Sequence, residues 1–470
     1  MIAVFPLLYF AVLVVIGLAR RKAAESEEAF FLAGRSGSAL LLTGSLVATM
    51  FGSFGVMGVS GLAYKMGLVA GWYHWVGTIG LVVLGAWALG RVDMEGAFTL
   101  PEVLGRRFGR AVRIVSAALI AFAWISIIAA QLIAAGKILG FLGEHGGWWS
   151  ATGARNFLTV CVGTVFVVYT AVGGQFSILR TDFFQAGAII AALVMLVASA
   201  LLANPAPLRG LDPEFLAFPF NDAMPFSRWL ILLLTFGVPF LVGPDFYSRI
   251  LSGRDAAAGR RAILSAAALM IPIVFLIVLG GVLGRALFGD GVADGETVLL
   301  QLGLATASPV WCGLLIAALL AAIMSSADTC LLTISTLVSR DLLDEIGLRP
   351  RSEARTILRA RLIIVFVGAL AVVLALATQD IARALYNCYK IYSPAVLVPF
   401  LGLLVFPARR FRHATGLAAI ALGGSTAILS LMLPDVKSLA WLAFVLPTVP
   451  LAIDLFLGAP KTPDTPTVMP

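Results

Sequence analysis

VATMFGSFGVMGVSG, residues 47–61, places Gly52, Gly55, Gly58 and Gly61, with Ser53 among them, in an apolar run long enough to cross a bilayer. Each glycine weakens a helix by about 1 kcal/mol relative to alanine, so four within ten residues predict a helix that breaks. A second stretch has the same character. TFGVPFLVGPDF, residues 235–246, combines Gly237 and Gly243 with Pro239 and Pro244. A proline inside a helix removes a main-chain hydrogen bond and crowds the preceding turn, at a cost of about 3 kcal/mol. Main-chain groups freed inside a membrane need a partner in protein, water or ligand, so two such breaks predict a polar site between two interrupted helices.

The composition supplies the membrane. Of 470 residues, 60% are hydrophobic and only 12% charged, and the mean hydropathy is +1.00, against roughly 25% charged residues in a soluble domain. Apolar stretches of about 20 residues, the length of a membrane-crossing helix, recur from residues 2–19 to 437–458, giving about thirteen expected spans. The chain therefore reads as an all-α polytopic membrane protein. The first span is followed by ARRKAAESEEAFFLAGR rather than by a small-residue cleavage site, so it reads as a retained helix.

The basic residues orient the spans. With the N-terminus outside, 24 Lys and Arg fall in cytoplasmic loops, Arg249 and the C-terminal Lys461 included, against 7 outside. Lys137 and Lys390 are left inside spans, and Lys137, near an outer helix end, reads as snorkelling to the interface. The asymmetry obeys the positive-inside rule and makes the net charge of +8 a topology and lipid-headgroup signal, not one of nucleic acid binding. The C-terminus is then cytoplasmic, and the expected location is the cell membrane. Cys161, Cys312, Cys330 and Cys388 lack paired spacing and read as small core residues.

Polar residues that remain inside spans carry the function, because an Asp or Lys at a helix centre costs about 2.5–3.5 kcal/mol. The densest group is AAIMSSADTCLL, residues 321–332. At helical spacing, Ala322, Ser325, Ser326 and Thr329 share one face, with Asp328 beside Ser325. Small residues there would serve helix packing, but packing does not ask for a carboxylate. Hydroxyls, freed carbonyls and a nearby negative charge suit a hard monovalent cation. The two breakable helices lie five spans apart, which matches an inverted repeat of five helices, the arrangement in which paired broken helices mark a transporter's binding site.

Five segments in order carry a family resemblance: EEAFFLAGRSGS, TLPEVLGRRFG, GGQFSILRTDFFQ, GPDFYSRILSGRD and AAIMSSADTCLLTISTLVSRDL. With them the chain resembles the sodium/solute symporter family. The resemblance implies a LeuT-type inverted-repeat secondary transporter in which sodium, the expected coupling ion, enters with a small-molecule solute. It divides the chain into a first helix and loop (1–38), a first five-helix repeat (39–204), a second repeat (226–407), two C-terminal helices (408–458) and a tail (459–470). The principal sodium site it implies takes the carbonyls of Ala48, Phe51 and Ala322 and the hydroxyls of Ser325 and Ser326. A further cation position, present in some members, falls on Asp182, Asp328 and Thr329. Because Asp328 stands where those members carry a hydroxyl, one sodium is expected rather than two.

The same resemblance places the solute between the broken helices, walled by Met50, Phe54 and Gly55 and, opposite, by Phe236, Val238 and Phe240. His74 in GWYHWVG occupies the position of a sugar-binding Glu, and Met50 and Gly55 replace sugar-contacting amides, which argues against a sugar. With His74 and Lys390 as the available cations, the expected solute is an amino acid or another carboxylate-bearing metabolite. Asp245 is expected to pair with Arg249 one turn on and to stay out of the site. Two alternatives stay open: proton coupling or ion conduction on the same fold, and a membrane hydrolase drawn from Ser325, His74 and Asp328. The hydrolase is disfavoured because its Ser and Asp share one helix, and no enzymatic activity is expected.

Overall fold

The computed structural model describes residues 2, 4–19, 25–92, 94–146, 152–204, 208–378, 380–407, 409, 411–433, 436 and 438–458. The expected tail 459–470 lies outside them, as do Arg20, Arg21, Lys22, Arg410 and Lys437 of the charge count. Among the described residues the chain is helical throughout, with only isolated β-bridges.

Apart from the short helices Glu27–Leu32, Leu100–Phe108, Pro213–Leu216 and Val298–Thr306, the helices in chain order are α1 (Val4–Ala19), α2 (Ala39–Met50), α3 (Val59–Met66), α4 (Trp72–Val83), α5 (Arg110–His145), α6 (Thr152–Ala203), α7 (Phe226–Leu232), α8 (Pro244–Leu251) and α9 (Ala256–Phe288). They continue as α10 (Pro309–Thr336), α11 (Glu353–Thr378), α12 (Ile381–Val405), α13 (His413–Met432), α14 (Ser438–Val445) and α15 (Thr448–Leu457). Nine described stretches are long and apolar enough to cross a membrane, and Ala39–Met50 and Trp441–Leu457 are shorter apolar helices. The count of thirteen expected spans is thus not reproduced by length and composition alone. One reason is visible in α6, where residues 176–181, expected as a loop between two spans, stay helical and the chain only kinks at Gly174 (φ 57°). A side chain at Gly174 would meet Phe30 at 2.9 Å, so this left-handed glycine admits the FFLAGR segment against the kink.

Both glycine-rich stretches break as their composition predicts. α2 stops at Phe51 (φ −94°, ψ 37°), and the chain resumes as a π-helical turn over Phe54–Gly58 before α3. After α7 the chain passes through a π turn (Leu233–Gly237) and a 3-10 turn (Val238–Val242), leaves helical geometry at Gly243 (ψ 110°), and restarts at Pro244. Proline suits that first helical position because its missing N–H would be unpaired there anyway. α4 lies against the second break through glycines: a Cβ on Gly80 would come within 2.2 Å of the Gly237 carbonyl, and one on Gly237 within 2.6 Å of the Val76 carbonyl. Gly37, before α2, and the end of α8 are tied by main-chain bonds, Gly37 N to Ser252 O (2.9 Å) and Arg254 N to Gly37 O (3.0 Å).

α10 runs through the centre and is buried without interruption from Ala318 to Leu337, packed on α5, α6 and the end of α2. A helix apolar all round is expected in such a position. Lys137 on α5 does not simply snorkel. Its Nζ donates to Asp294 (2.8 Å) and Glu296 (2.5 Å) in the turn that follows α9 and opens the short helix Val298–Thr306. Burial pushes the Glu296 carboxyl above its ordinary value, and the Lys137 ammonium opposes that rise.

Candidate functional site

The first break delivers its backbone to the serine pair of α10. Ser326 Oγ donates to the Thr49 carbonyl at 2.6 Å and lies 3.3 Å from that of Ala322. A Cβ on Gly52 would stand 2.4 Å from Ser326 Oγ, so only glycine allows this approach. Ser53 N, released by the break, donates to Gln131 Oε1 of α5 at 2.7 Å. Among the described residues no main-chain N–H bonds the carbonyls of Ala48 or Phe51, and the buried Ser325 hydroxyl makes no hydrogen bond of standard geometry, its polar neighbour being the Asp182 carboxylate. Buried polar atoms are rarely left so. Free carbonyls and two hydroxyls, one of them without a standard bond, are the donor set a monovalent cation uses, so these residues fit a sodium ion.

One turn along α10 the arrangement differs from the expectation. Arg249 of α8, counted above as a loop charge and as the partner of Asp245, is fully buried and reaches the inside of the bundle. It contacts Asp182 Oδ2 (3.2 Å), Ser45 Oγ (3.1 Å), Thr49 Oγ1 (3.0 Å) and Thr329 Oγ1. Ser45 Oγ also donates to Asp182 at 2.5 Å, and Thr329 Oγ1 donates to the Ser325 carbonyl at 2.7 Å. A protein-borne cation therefore stands between Asp182 and Thr329, where a further ion was considered. Asp328 faces another way, accepting from Thr170 Oγ1 at 2.6 Å. The i,i+4 pair with Asp245 is not formed although both residues lie on α8, because the Arg249 guanidinium is turned to Asp182, Ser45, Thr49 and Thr329 on α6, α2 and α10.

The central cavity lies between the two breaks. With a volume of about 80 Å³, it is lined by Met50, Phe54, Gly55, His74, Phe236 and Phe240, all anticipated as solute walls, and by Thr49, Gly52 and Ser326 from the break and its serine partner. Its remaining lining comes from Tyr73, Ile127, Gln131, Asp245, Phe246, Cys330 and Tyr389. Val238 faces instead a separate apolar groove against Leu401 and Trp441. Lys390 does not line the cavity, while its neighbour Tyr389 does; the helical rotation of about 100° per residue turns the lysine away. His74 is 6% exposed, its ring 5.0 Å from that of Phe51 and its Nε2 without a hydrogen bond of standard geometry.

Sequence reasoning missed Gln131, Asp245, Tyr73 and Tyr389. Gln131 carried a usable signal, a lone amide within the apolar run AAQLIAAG. Asp245 carried one too, as an acid directly after a Gly-Pro break, but its spacing to Arg249 suggested a simpler role.

A sequence model described as the sodium:solute symporter family matches residues 30–413. The osmoregulated proline transporter of Bacillus subtilis (strain 168) is 26% identical, over 90% of this chain and 87% of its own. The high-affinity proline transporter of the same organism is 28% identical, over 85% and 86%. Among solved structures, the substrate-bound outward-open state of a Na+-coupled sialic acid symporter superposes with a TM-score of 0.79, covering 98% of both chains at 17% identity.

Proposed function

The chain belongs to the sodium:solute symporter family, and on that premise we propose that it imports a small organic solute together with one sodium ion by alternating access. Sodium is the coupling ion of the family, and the fold is that of LeuT-type symporters. The observation that carries the proposal is the Ser325 hydroxyl on α10, without a hydrogen bond of standard geometry and next to the Asp182 carboxylate, beside the broken end of α2, whose Ala48 and Phe51 carbonyls accept no main-chain N–H among the described residues. An ion held by both elements ties the first broken helix to the centre of the bundle. Occupancy then favours the conformation in which the two are close, and that difference in affinity is what coupling requires.

A single ion follows from Arg249. Its guanidinium already neutralises Asp182 and donates to Thr49 and Thr329, so a second sodium at Asp182, Asp328 and Thr329 would meet a fixed positive charge. Ala48, Phe51, Ala322, Ser325 and Ser326 are then the sodium ligands. The solute is an amino acid or similar metabolite, in keeping with the proline transporters among the relatives, and it sits in the cavity walled by Met50, Phe54, Gly55, His74, Phe236 and Phe240. The repeats span 39–204 and 226–407, and the protein sits in the cell membrane with its N-terminus outside.

Reconstitution tests this reading. In proteoliposomes given a solute panel that starts with L-proline, an inward sodium gradient is expected to raise uptake about tenfold or more. Ser325→Ala with Ser326→Ala is expected to raise the sodium concentration for half-maximal uptake at least about tenfold, the equivalent of about 1.4 kcal/mol. Uptake indifferent to the gradient, or an unchanged sodium requirement in the double variant, would overturn it.

A further inference from the structure

We propose that the solute carried in the central cavity bears an ammonium group, seated among aromatic rings and neutralised by Asp245; the inference rests on the symport reading and narrows it.

Among the described residues Asp245 contributes the only acidic side chain to the cavity, and no Lys or Arg lines it. Its natural partner by spacing, Arg249, is committed to Asp182, Ser45, Thr49 and Thr329. Among the described residues no ion pair involves Asp245: its carboxylate accepts from the main-chain N–H groups of Asp245 and Phe246 at the helix start and feels the Arg249 charge only at a distance, whereas Asp182 is in direct contact with Arg249. A carboxylate in the first turn of a helix is favoured by the helix dipole, which explains why the position tolerates an acid. It does not explain why that acid opens onto a cavity, partly exposed there while Pro244, Phe246 and Tyr247 around it are buried.

The rest of the wall is aromatic. Phe54, Tyr73, Phe236, Phe240, Phe246 and Tyr389 meet the same space. Phe236 lies 5.2 Å from Tyr389 and 6.4 Å from Phe54, and Phe240 lies 5.2 Å from Phe246, ring centre to ring centre. Ring faces attract cations, most strongly where water is excluded, and an acid beside them fixes the position of the charge. His74 is buried and lines the same space, its ring near the Met50 carbonyl but with no Nε2 hydrogen bond of standard geometry, so a polar group for the uncharged or anionic end of the solute is present as well. A solute whose only charge is a carboxylate would bring like charge against Asp245. That removes the simple carboxylates from the candidates and keeps amino acids, betaines and amines, which share the ammonium.

Thermal unfolding of the purified full-length protein in sodium tests this, since a ligand that binds the folded state raises its midpoint. The probes are L-proline, glycine betaine and choline, set against tetrahydrofuroate, which has an oxygen where proline has its ring nitrogen, and pyruvate. At least one ammonium-bearing probe is expected to raise the midpoint, with no shift from tetrahydrofuroate or pyruvate. Which of the three succeeds tells amino acid from betaine and amine. Asp245→Asn is expected to weaken the successful probe about 100-fold, as when one member of a buried charge pair is removed, and Phe236→Ala about tenfold. The response of each variant to sodium alone reports that it is folded. The proposal is overturned if no ammonium-bearing probe acts, if a carboxylate-only probe acts as strongly, or if Asp245→Asn binds within about threefold of the parent. Failure of the symport reading looks different: sodium alone would leave the parent's midpoint unchanged, whatever stands at residue 245.

Discussion

At the level of single residues, the most consequential side chain is Arg249. It and Asp182 are each 1% exposed, and an ion pair so buried costs about 3–5 kcal/mol when one partner alone is removed, because the other charge is left stranded. Asp182→Asn and Arg249→Met are each expected to destabilise the protein by about that amount, and the double variant by less than the sum. Chemical denaturation in micelles measures the cycle; additive losses would show that the two side chains are not energetically paired. Arg249 was misread from sequence because it sits four residues after an acid and five before Arg254, a spacing that suits both a helix-surface pair and a loop. Only the way the guanidinium turns decides the matter, and that is set by its partners on α6, α2 and α10. The serine pair was legible for the opposite reason: three hydroxyls and an acid in an otherwise apolar run have no inexpensive explanation in lipid.

At the level of elements, the two interruptions were legible because glycine and proline act locally. What they become was not. Whether a weakened helix adopts a π turn, as at Phe54–Gly58 and Leu233–Gly237, or an open loop depends on which neighbours approach. The close approach of Gly52 to α10 gives a sharp test. Alanine there would bring Cβ to 2.4 Å from Ser326 Oγ and 2.9 Å from Gln131 Oε1, so Gly52→Ala is expected to cost about 1–3 kcal/mol, the usual penalty for overfilling a packed site. It should also raise the sodium requirement for uptake. Gly187→Ala on α6, where a Cβ would meet nothing within 4 Å, is the matched control: it should raise stability by up to about 1 kcal/mol, the helix-propensity gain, and leave the sodium requirement unchanged. An innocuous Gly52→Ala would mean that the break is not held against the serine pair.

For the whole molecule, fold class and charge asymmetry were readable from composition, whereas the number of spans was not, since kinks such as Gly174 and turns such as Gly67–Gly71 join neighbouring helices without a polar loop. The side expected to face the cytoplasm is laced by ion pairs, Arg113 with Asp341 (2.6 Å) and Glu345 (2.6 Å), Arg340 with Glu27 (2.5 Å) and Arg359 with Asp344 (2.7 Å). A reporter fused to the C-terminus is expected to read as cytoplasmic; an outside signal would reverse the orientation. Six of the residues expected around the solute line the central cavity, but its charge was not legible, because Asp245 is left without an ion pair only when Arg249 is drawn elsewhere. The central claim is that one sodium bridges the broken end of α2 and the serine pair of α10 while Arg249 holds the neighbouring cation position. Equilibrium binding of radiolabelled sodium to the purified protein tests it most directly. Saturation is expected at one ion per chain, with affinity lost in the Ser325→Ala, Ser326→Ala double variant; two ions per chain, or binding indifferent to that substitution, would rule out the single bridging ion.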